Sequence, residues 1–393
     1  MKHFVLLLHA GDYLDASRRR ANGSADRYRH HSYALDSLAR LVTDGARVSV
    51  IQMHSTHLYD EQFSGGIRFL GLGTGTTAEK PVAISAYLRA EAATHVMLRS
   101  PAVEVLRAVT DSPVRASVVL ADSFPSRFRN RTRYRELGRL MGLPQVDFVS
   151  NHHLNSSRQL VKVLGVDPGK VVPWDWPLDL LEMADASAKP YPTGGELRLC
   201  YAGSITRIKG VWDAVEAVKA LRERGHDASL DIAGGGQTEY LETLVERHGL
   251  RGHVTHRGRV GVGDILRMMR DSAFVCVPSR HSCPEGLPLT LYEAMASGTP
   301  IVASDHPMFK GVVRDGETGF VFRAGSPKRL ASAVLRGWQD HQRYELVSST
   351  AAAAYRGLGL DTLWGDIVVR WVRGAPEDLE WLRRSSLHAR DRG

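Results

Sequence analysis

The sequence predicts an α/β fold of two doubly wound lobes facing a central cleft, and three observations carry that prediction. Short apolar runs alternate with longer stretches of helical periodicity, the pattern of a parallel sheet covered on both faces. The alternation occurs twice, in residues 1–183 and 197–350, with an Ala-, Pro-, Gly- and Ser-rich linker at 184–196. A length of 393 residues with 43% hydrophobic content is ample for two cores. Residues 351–393 read as a helical segment packing back towards the first lobe, with the closing SSLHARDRG too polar to stay ordered.

In the first lobe, FVLLL forms the opening buried strand and ends at His9-Ala10-Gly11. A polar stretch with Arg18, Arg19, Arg20, Asn22 and Gly23 leads to a helix over about 29–44, whose apolar face is Leu35, Leu38 and Leu41. Strands follow at 47–53, 67–70, 95–98 and 116–121, with helices at 82–93 and 102–109. Asp122 then stands at a strand end, where open parallel sheets place ligand groups and where acids also start turns. After it, Arg127, Arg129, Arg131, Arg133 and Arg135 alternate. In an extended chain they would share one face, either a solvated basic surface or a contact for an anionic acceptor or membrane. A strand at 148–150 and a helix at 156–164 lead to Trp174-Asp175-Trp176 at the hinge. There Trp174 either stacks on a ligand or fills an interface.

The second lobe runs strand 197–202, loop GSITRIKG, helix 211–224, strand 229–233, the Gly234-Gly235-Gly236 turn and helix 237–248. Strand 254–257, helix 263–270 and strand 273–277 follow, then the stretch EGLPLTLYE, strand 300–303 and strand 320–322. Pro288 suits the first position of a helix, and Gly298 suits the left-handed stop after it. Glu285 therefore precedes the helix and Glu293 lies about one and a half turns into it.

The net charge of +8, from 51 basic and 43 acidic residues, permits anionic ligands, while no nucleic-acid motif accompanies it. Cys200, Cys276 and Cys283 give neither a disulfide framework nor metal-ligand spacing, which points to a reducing cytoplasm. The N-terminal apolar run is too short for a signal or membrane segment.

Arg207 and Lys209 stand just before a helix start, where cations oppose the helix dipole. Such a placement makes sense if an anion, above all a diphosphate, occupies the site, with Gly203 and Gly210 allowing close backbone approach. Glu285 and Glu293 would then hold hydroxyls beside it, with capping of the helix as their alternative role. Gly234 belongs either to a nucleotide loop or to a tight turn.

The run FVCVPSRHSCPEGLPLTLYEAMASGTPIVAS, with YAGSITRIKG, IAGGG and DGETGFVF, resembles the donor-binding lobe of glycosyltransferase family 4, over about Leu197 to Phe322. The resemblance implies a GT-B fold and a retaining, metal-independent transferase whose co-substrate is a nucleotide diphosphate sugar, most naturally a UDP-sugar, with no other cofactor. It implies donor contacts from Gly203, Arg207, Lys209, Gly234, Arg259, Glu285, Gly286, Leu287, Pro288, Leu289 and Glu293. Glu285 would take sugar hydroxyls, Glu293 the ribose, and Arg207 with Lys209 the leaving diphosphate. Asp122 occupies the place of a family His or Asp on the acceptor side, where Gly11 or Gly23 stands in for a glycine loop beside Trp174. The expected acceptor is a hydroxyl of a small polar molecule, such as an aminocyclitol or sugar-containing metabolite. A lipid-linked or polysaccharide acceptor, which would suit the arginine run, is the alternative. Two further readings are a nucleotide-sugar 2-epimerase and a non-catalytic binder.

Overall fold

The structure is a computed structural model, and it describes residues 1–9, 12–24, 30–63, 65–75, 79–125, 130–177 and 188–392. The chain divides into two compact units, Met1–Trp176 with Leu360–Gly393, and Pro177–Gly359. The boundaries differ from the junctions expected at 183 and 351. Helix 341–355 belongs to the second unit because Tyr344, Val347, Ala351 and Tyr355 are buried in its cores.

The first unit contains β1 (His3–Leu8), α1 (Tyr13–Ala21), α2 (His31–Thr43), β2 (Arg47–Gln52), β3 (Leu58–Gln62), β4 (Ile67–Leu72) and α3 (Glu79–Ala90). It continues with β5 (His95–Arg99), α4 (Val103–Thr110), β6 (Arg115–Leu120), α5 (Arg131–Met141), β7 (Val146–His152), α6 (His153–Leu164) and β8 (Val171–Trp174). Its sheet has the order β3-β4-β2-β1-β5-β6-β7-β8, parallel except for β3 against β4. Every residue of β1 is buried, as a central strand covered on both faces requires. Leu35, Leu38 and Leu41 bury the inner face of α2.

Three expectations fail here. The stretch around Arg18 is helix α1, and Gly23, with φ +67°, follows its C-cap Asn22, so it ends a helix rather than forming a ligand loop. Arg131, Arg133 and Arg135 lie on helix α5, because Leu137, Leu140 and Met141 recur at helical spacing and are buried. Arg127 and Arg129 lie outside the described residues. The C-terminal segment is ordered: α13 (Trp364–Arg373), α14 (Pro376–Arg384) and α15 (Leu387–Arg390) belong to the first unit, and Leu387 is buried in its core.

Asp175 fastens that return. The chain leaves the first unit at Trp176 and re-enters at Leu360, and both passages meet one buried carboxylate. Its Oδ1 accepts from the Trp176 N–H at 2.8 Å and lies 3.0 Å from His152 Nε2, while Oδ2 accepts from the Leu360 N–H at 3.3 Å. Its backbone N–H donates to the Thr362 carbonyl and its carbonyl accepts from the Trp364 N–H. Burial pushes the Asp175 carboxyl up, and the hydrogen bond and charge of His152 bring it below the usual range.

The second unit contains β9 (Leu197–Ala202), α7 (Val211–Arg222), β10 (Ala228–Ala233), α8 (Thr238–Arg247), β11 (Val254–Gly258) and α9 (Val262–Asp271). It ends with β12 (Phe274–Val277), α10 (Leu289–Ala296), β13 (Ile301–Ser304), β14 (Phe320–Phe322), α11 (Pro327–Trp338) and α12 (His341–Tyr355). Its six strands are parallel in the order β11-β10-β9-β12-β13-β14. The chain moves outward one way from β9 and the other way from β12, so the order reverses between these two strands. Among the described residues no helix is long and apolar enough to cross a membrane.

Asp175→Ala removes an acceptor from His152 and from two backbone N–H groups, and is expected to cost about 3 kcal/mol in urea unfolding followed by tryptophan fluorescence. Because the folded carboxyl titrates below its usual value, the stability it provides is present above about pH 4 and lost as the pH falls. The gap between wild type and variant should therefore close on acidification.

Candidate active site

Ligands of open parallel sheets bind outside the carboxyl ends of the strands, at the point where strand order reverses. In the second unit that point lies between β9 and β12, and the loops leaving these strands, 203–210 and 278–288, carry most of the expected donor residues. The loops are tied to each other. The Arg280 N–H donates to the Ile208 carbonyl at 2.9 Å, and the Arg280 guanidinium grips Asp213, in the first turn of α7, at 2.5 and 3.1 Å. Gly210 has φ +76°, and a Cβ there would lie 2.0 Å from the Pro278 carbonyl oxygen, so only glycine fits.

Within this clasp Glu285 is only 5% exposed. Lys209 Nζ donates to both of its carboxylate oxygens at 2.9 Å, and the Ser279 hydroxyl donates to Oε1 at 2.6 Å. Burial pushes the Glu285 carboxyl up, but the Lys209 charge and these hydrogen bonds pull it further down, below the usual carboxylate range. His306 supports the loop from behind. Its Nδ1 accepts from the Met308 N–H, which leaves Nε2–H to donate to the Cys283 carbonyl at 3.1 Å. Burial lowers its pKa, against the opposing charge of Glu285, and keeps the ring neutral.

Helix α10 begins at Leu289, with Pro288 as its N-cap rather than its first residue. The Thr290 hydroxyl donates to the Ala202 carbonyl at 3.0 Å, which pins the helix start to the end of β9. In that first turn the Leu291 N–H donates to the Pro288 carbonyl at 3.0 Å, while the N–H groups of Leu289 and Thr290 lie ahead of the intrahelical bonds, at the end of the helix that suits an anion. Glu293 is 7% exposed on α10, and Gly298, at φ +67°, closes the helix as expected. Gly286 is buried, and the Leu287 side chain lies in the apolar core, so it can offer a ligand only its backbone. Leu289 and Pro288 are half-buried.

Arg207 and Lys209 form a short 3-10 turn directly ahead of α7. The Arg207 side chain is exposed and makes no hydrogen bond or ion pair with the described residues, while its carbonyl accepts from the Gly210 N–H at 3.1 Å. Arg259 is likewise exposed and unpaired among them, with Nε 2.8 Å from the position a Cβ on Gly235 would take. The glycine turn has a structural reason of its own. Beyond the strand ends the two loops continue as a ladder, Gly203 N–H to Ala233 carbonyl and Ile205 N–H to Gly235 carbonyl, both at 2.9 Å. A Cβ on Gly234, at φ +143°, would lie 1.9 Å from the Gly203 carbonyl oxygen. Gly203 itself has φ +153°.

The residues expected from the first unit fare differently. Asp122 is half-buried just past β6, held by Asn151, whose Oδ1 accepts from its N–H at 3.2 Å and whose Nδ2 donates to its carbonyl at 2.8 Å. Trp174 is fully buried with its indole N–H donating to the Leu120 carbonyl at 2.9 Å, so it is core and not a stacking platform. Gly23 ends α1, and Gly11 lies outside the described residues. Sequence reasoning missed Ser279, His306 and the Arg280–Asp213 pair. The first lies in the polar run SRHS, which reads as loop, and the last joins residues 67 positions apart.

Lys209→Ala leaves Glu285 buried without its cation, so its pKa should move above the usual range. Wild-type stabilisation by this group is present above about pH 4.5 and lost as the pH falls through the lowered value. The variant should therefore fall behind wild type by about 2 kcal/mol at pH 7, and the gap should narrow as the pH falls below about 4.5, read by unfolding across that range.

A family model described as glycosyl transferases group 1 matches residues 184–354, which include both loops. The phosphatidyl-myo-inositol mannosyltransferase of Mycobacterium leprae (strain TN) is 34% identical over 168 residues, 42% of this chain and 44% of that protein. The alpha-D-kanosaminyltransferase of Streptomyces kanamyceticus is 34% identical over 153 residues, 39% of each chain. These matches span less than half the length of either relative. Anabaena HepE in complex with UDP shares the fold over 95% of this chain and 99% of its own, with a TM-score of 0.65 at 16% identity. Residues 184–354 thus match the model of glycosyl transferases group 1, and the chain has the GT-B fold.

Proposed function

We propose that this protein transfers a sugar, with retention, from a nucleotide diphosphate sugar, most naturally a UDP-sugar, to a hydroxyl of a small polar acceptor such as an aminocyclitol or sugar-containing metabolite. The observation that carries the reading is the fixed carboxylate of Glu285, paired with Lys209 at the reversal point of the second sheet, beside the unpaired cation of Arg207. Departure of the diphosphate from the anomeric carbon builds positive charge on the sugar and negative charge on the leaving phosphate. Arg207, with the positive charge of Lys209 beside it, takes up the negative charge, and Glu285 orients the sugar hydroxyls. Glu293 holds the ribose. The acceptor hydroxyl attacks from the face that the phosphate leaves and passes its proton to the departing phosphate oxygen. Asp122 orients the acceptor.

The printed names of the relatives, a mannosyltransferase and a kanosaminyltransferase, support sugar transfer, and the UDP held by Anabaena HepE supports a uridine donor. One observation favours the alternative of a lipid-linked or polysaccharide acceptor: Arg131, Arg133, Arg135 and Arg139 are exposed on α5. No Asp-x-Asp motif occurs in the sequence, and the two fixed cations are assigned the charge-neutralising role without a metal.

Glu285→Ala and Arg207→Ala are each expected to lower turnover at least about tenfold, roughly 1.4 kcal/mol in the barrier, while EDTA leaves wild-type turnover unchanged. The measurement is product mass in a screen of nucleotide sugars against polar and lipid-linked acceptors. Near-wild-type rates in both variants refute the site, and epimer formation from donor alone refutes transfer.

A further inference from the structure

The ends of β1 and β2 in the first unit gather basic groups that the proposed transfer does not use. Strand order in this sheet reverses between β1 and β5, and open parallel sheets bind ligands beyond the carboxyl ends of the strands at such a point. The β1–β2 ladder runs to Leu8 and Met53, whose N–H donates to the Leu8 carbonyl at 2.9 Å. His9 and His54 are the next residues on the two chains. Both are exposed, and their rings meet edge to face with centroids 4.6 Å apart and 72° between planes. Lys80, in the first turn of α3, reaches this pair, and its Nζ donates to His54 Nδ1 at 2.6 Å.

Lys80 is only 5% exposed, a burial that lysines seldom reach without a carboxylate partner. Here the acceptor is an imidazole, and no carboxylate among the described residues pairs with Lys80, His9 or His54. The first turn of a helix also opposes a cation through the dipole. An ammonium can only donate, so Nδ1 of His54 accepts and the neutral ring carries its proton on Nε2. Burial, and then the charges of Lys80 and His9, lower the pKa of His54. The acids nearest in sequence are turned to other places. The Asp12 carboxylate accepts from the Asp15 N–H at 2.8 Å as the N-cap of α1, and Glu79 Oε2 lies 2.9 Å from the position a Cβ on Gly75 would take. One buried cation and two exposed imidazoles therefore stand together at the reversal point with no counter-charge among the described residues. That balance favours an anion.

We propose that His9, His54 and Lys80 bind an oxyanion, the phosphate or carboxylate group of a small ligand of the first unit. The anion lies against the exposed rings and accepts from Nε2–H of His54. Lys80 acts from behind, supplying positive charge and fixing the His54 proton on Nε2. Only the identification of that ligand as the acceptor rests on the transfer reading. The binding test needs no nucleotide sugar, so its failure and the failure of that reading are seen separately.

The probes are glucose 6-phosphate, glucuronate and glucose, which share a ring and differ in charge, titrated against the full chain by calorimetry and ligand-observed NMR. At least one of the two anionic sugars is expected to bind at least about tenfold tighter than glucose, as hydrogen bonds to charged groups allow, and the tighter of them identifies the group. Lys80→Met keeps a long stem without a buried charge, and His54→Ala changes an exposed position. Each should lower the affinity for that anionic sugar at least about fivefold, with the unfolding temperature serving as the check on folding. Arg207→Ala, in the other unit, should leave the preference for the anion intact. Equal affinities for the three sugars, absence of binding by both anionic ones, a preference that survives Lys80→Met and His54→Ala, or its loss in Arg207→Ala would overturn the proposal.

Discussion

The second unit depends on one ion pair, Lys209 with Glu285, that joins the loops leaving β9 and β12. A carboxylate 5% exposed is costly to hold in its charged form, and the cost is offset only by close partners. Lys209 supplies both charge and hydrogen bonds, and Ser279 supplies a third donor. Neither loop could present these groups alone, since the pair joins residues 76 positions apart. The backbone contact of Arg280 with Ile208, the Arg280–Asp213 grip and the side-chain-free approach of Gly210 to Pro278 hold the two loops in one geometry. A buried pair of this kind adds little to net stability against an apolar replacement, but it fixes the direction of a carboxylate before any ligand arrives.

Asp175 shows the same physics put to a different use. It too is a buried acid just past a parallel strand, with its pKa held below the ordinary value. Its partners, however, are a buried histidine and backbone N–H groups of its own unit, including those of the returning chain at Leu360. Glu285 is satisfied by a lysine whose side chain is 30% exposed, so one of its partners borders solvent. Burial and a lowered pKa do not by themselves separate a structural acid from a functional one, and the two acids differ in the exposure of their partners.

The sequence was most legible where periodicity and backbone need coincide. The apolar run at β1, the Leu35, Leu38 and Leu41 face of α2 and the left-handed stop at Gly298 all follow from local rules, and each stands where expected. The loops leaving β9 and β12 were legible because glycines, cations and acids occur there at strand ends in fixed order. Where alternation misled, a tertiary preference had won: the arginines at 131, 133 and 135 alternate like a strand, but the buried Leu137, Leu140 and Met141 set a helical period for α5. Trp174 could not be assigned from sequence because an indole serves equally well as platform or core. Its hydrogen bond to Leu120, 54 residues away, decides for core. Ser279 and His306 were invisible for the same reason, since each acts only through a partner that the fold brings to it.

The cations at the site carry the last step. Arginines elsewhere in the described residues are commonly paired, as Arg68 is with Asp60 and Glu91, Arg115 with Asp147, and Arg336 with Asp315. Arg207 and Arg259 are not, although each stands at a loop whose backbone is fixed by glycine conformations few other residues could adopt. Arg207 also precedes the start of α7, where the helix dipole opposes a positive charge. An exposed guanidinium is solvated and loses little without a partner, but an anion at the start of α7 would relieve the opposition of Arg207 to the dipole, and the proposed donor brings one. Glu285 and Glu293 do not supply that anion, because Lys209 already satisfies the first and the second lies buried on α10. Under the proposed function, what remains is a place for external negative charge beside two buried carboxylates, the charge pattern that a diphosphate joined to hydroxyl-bearing rings would meet.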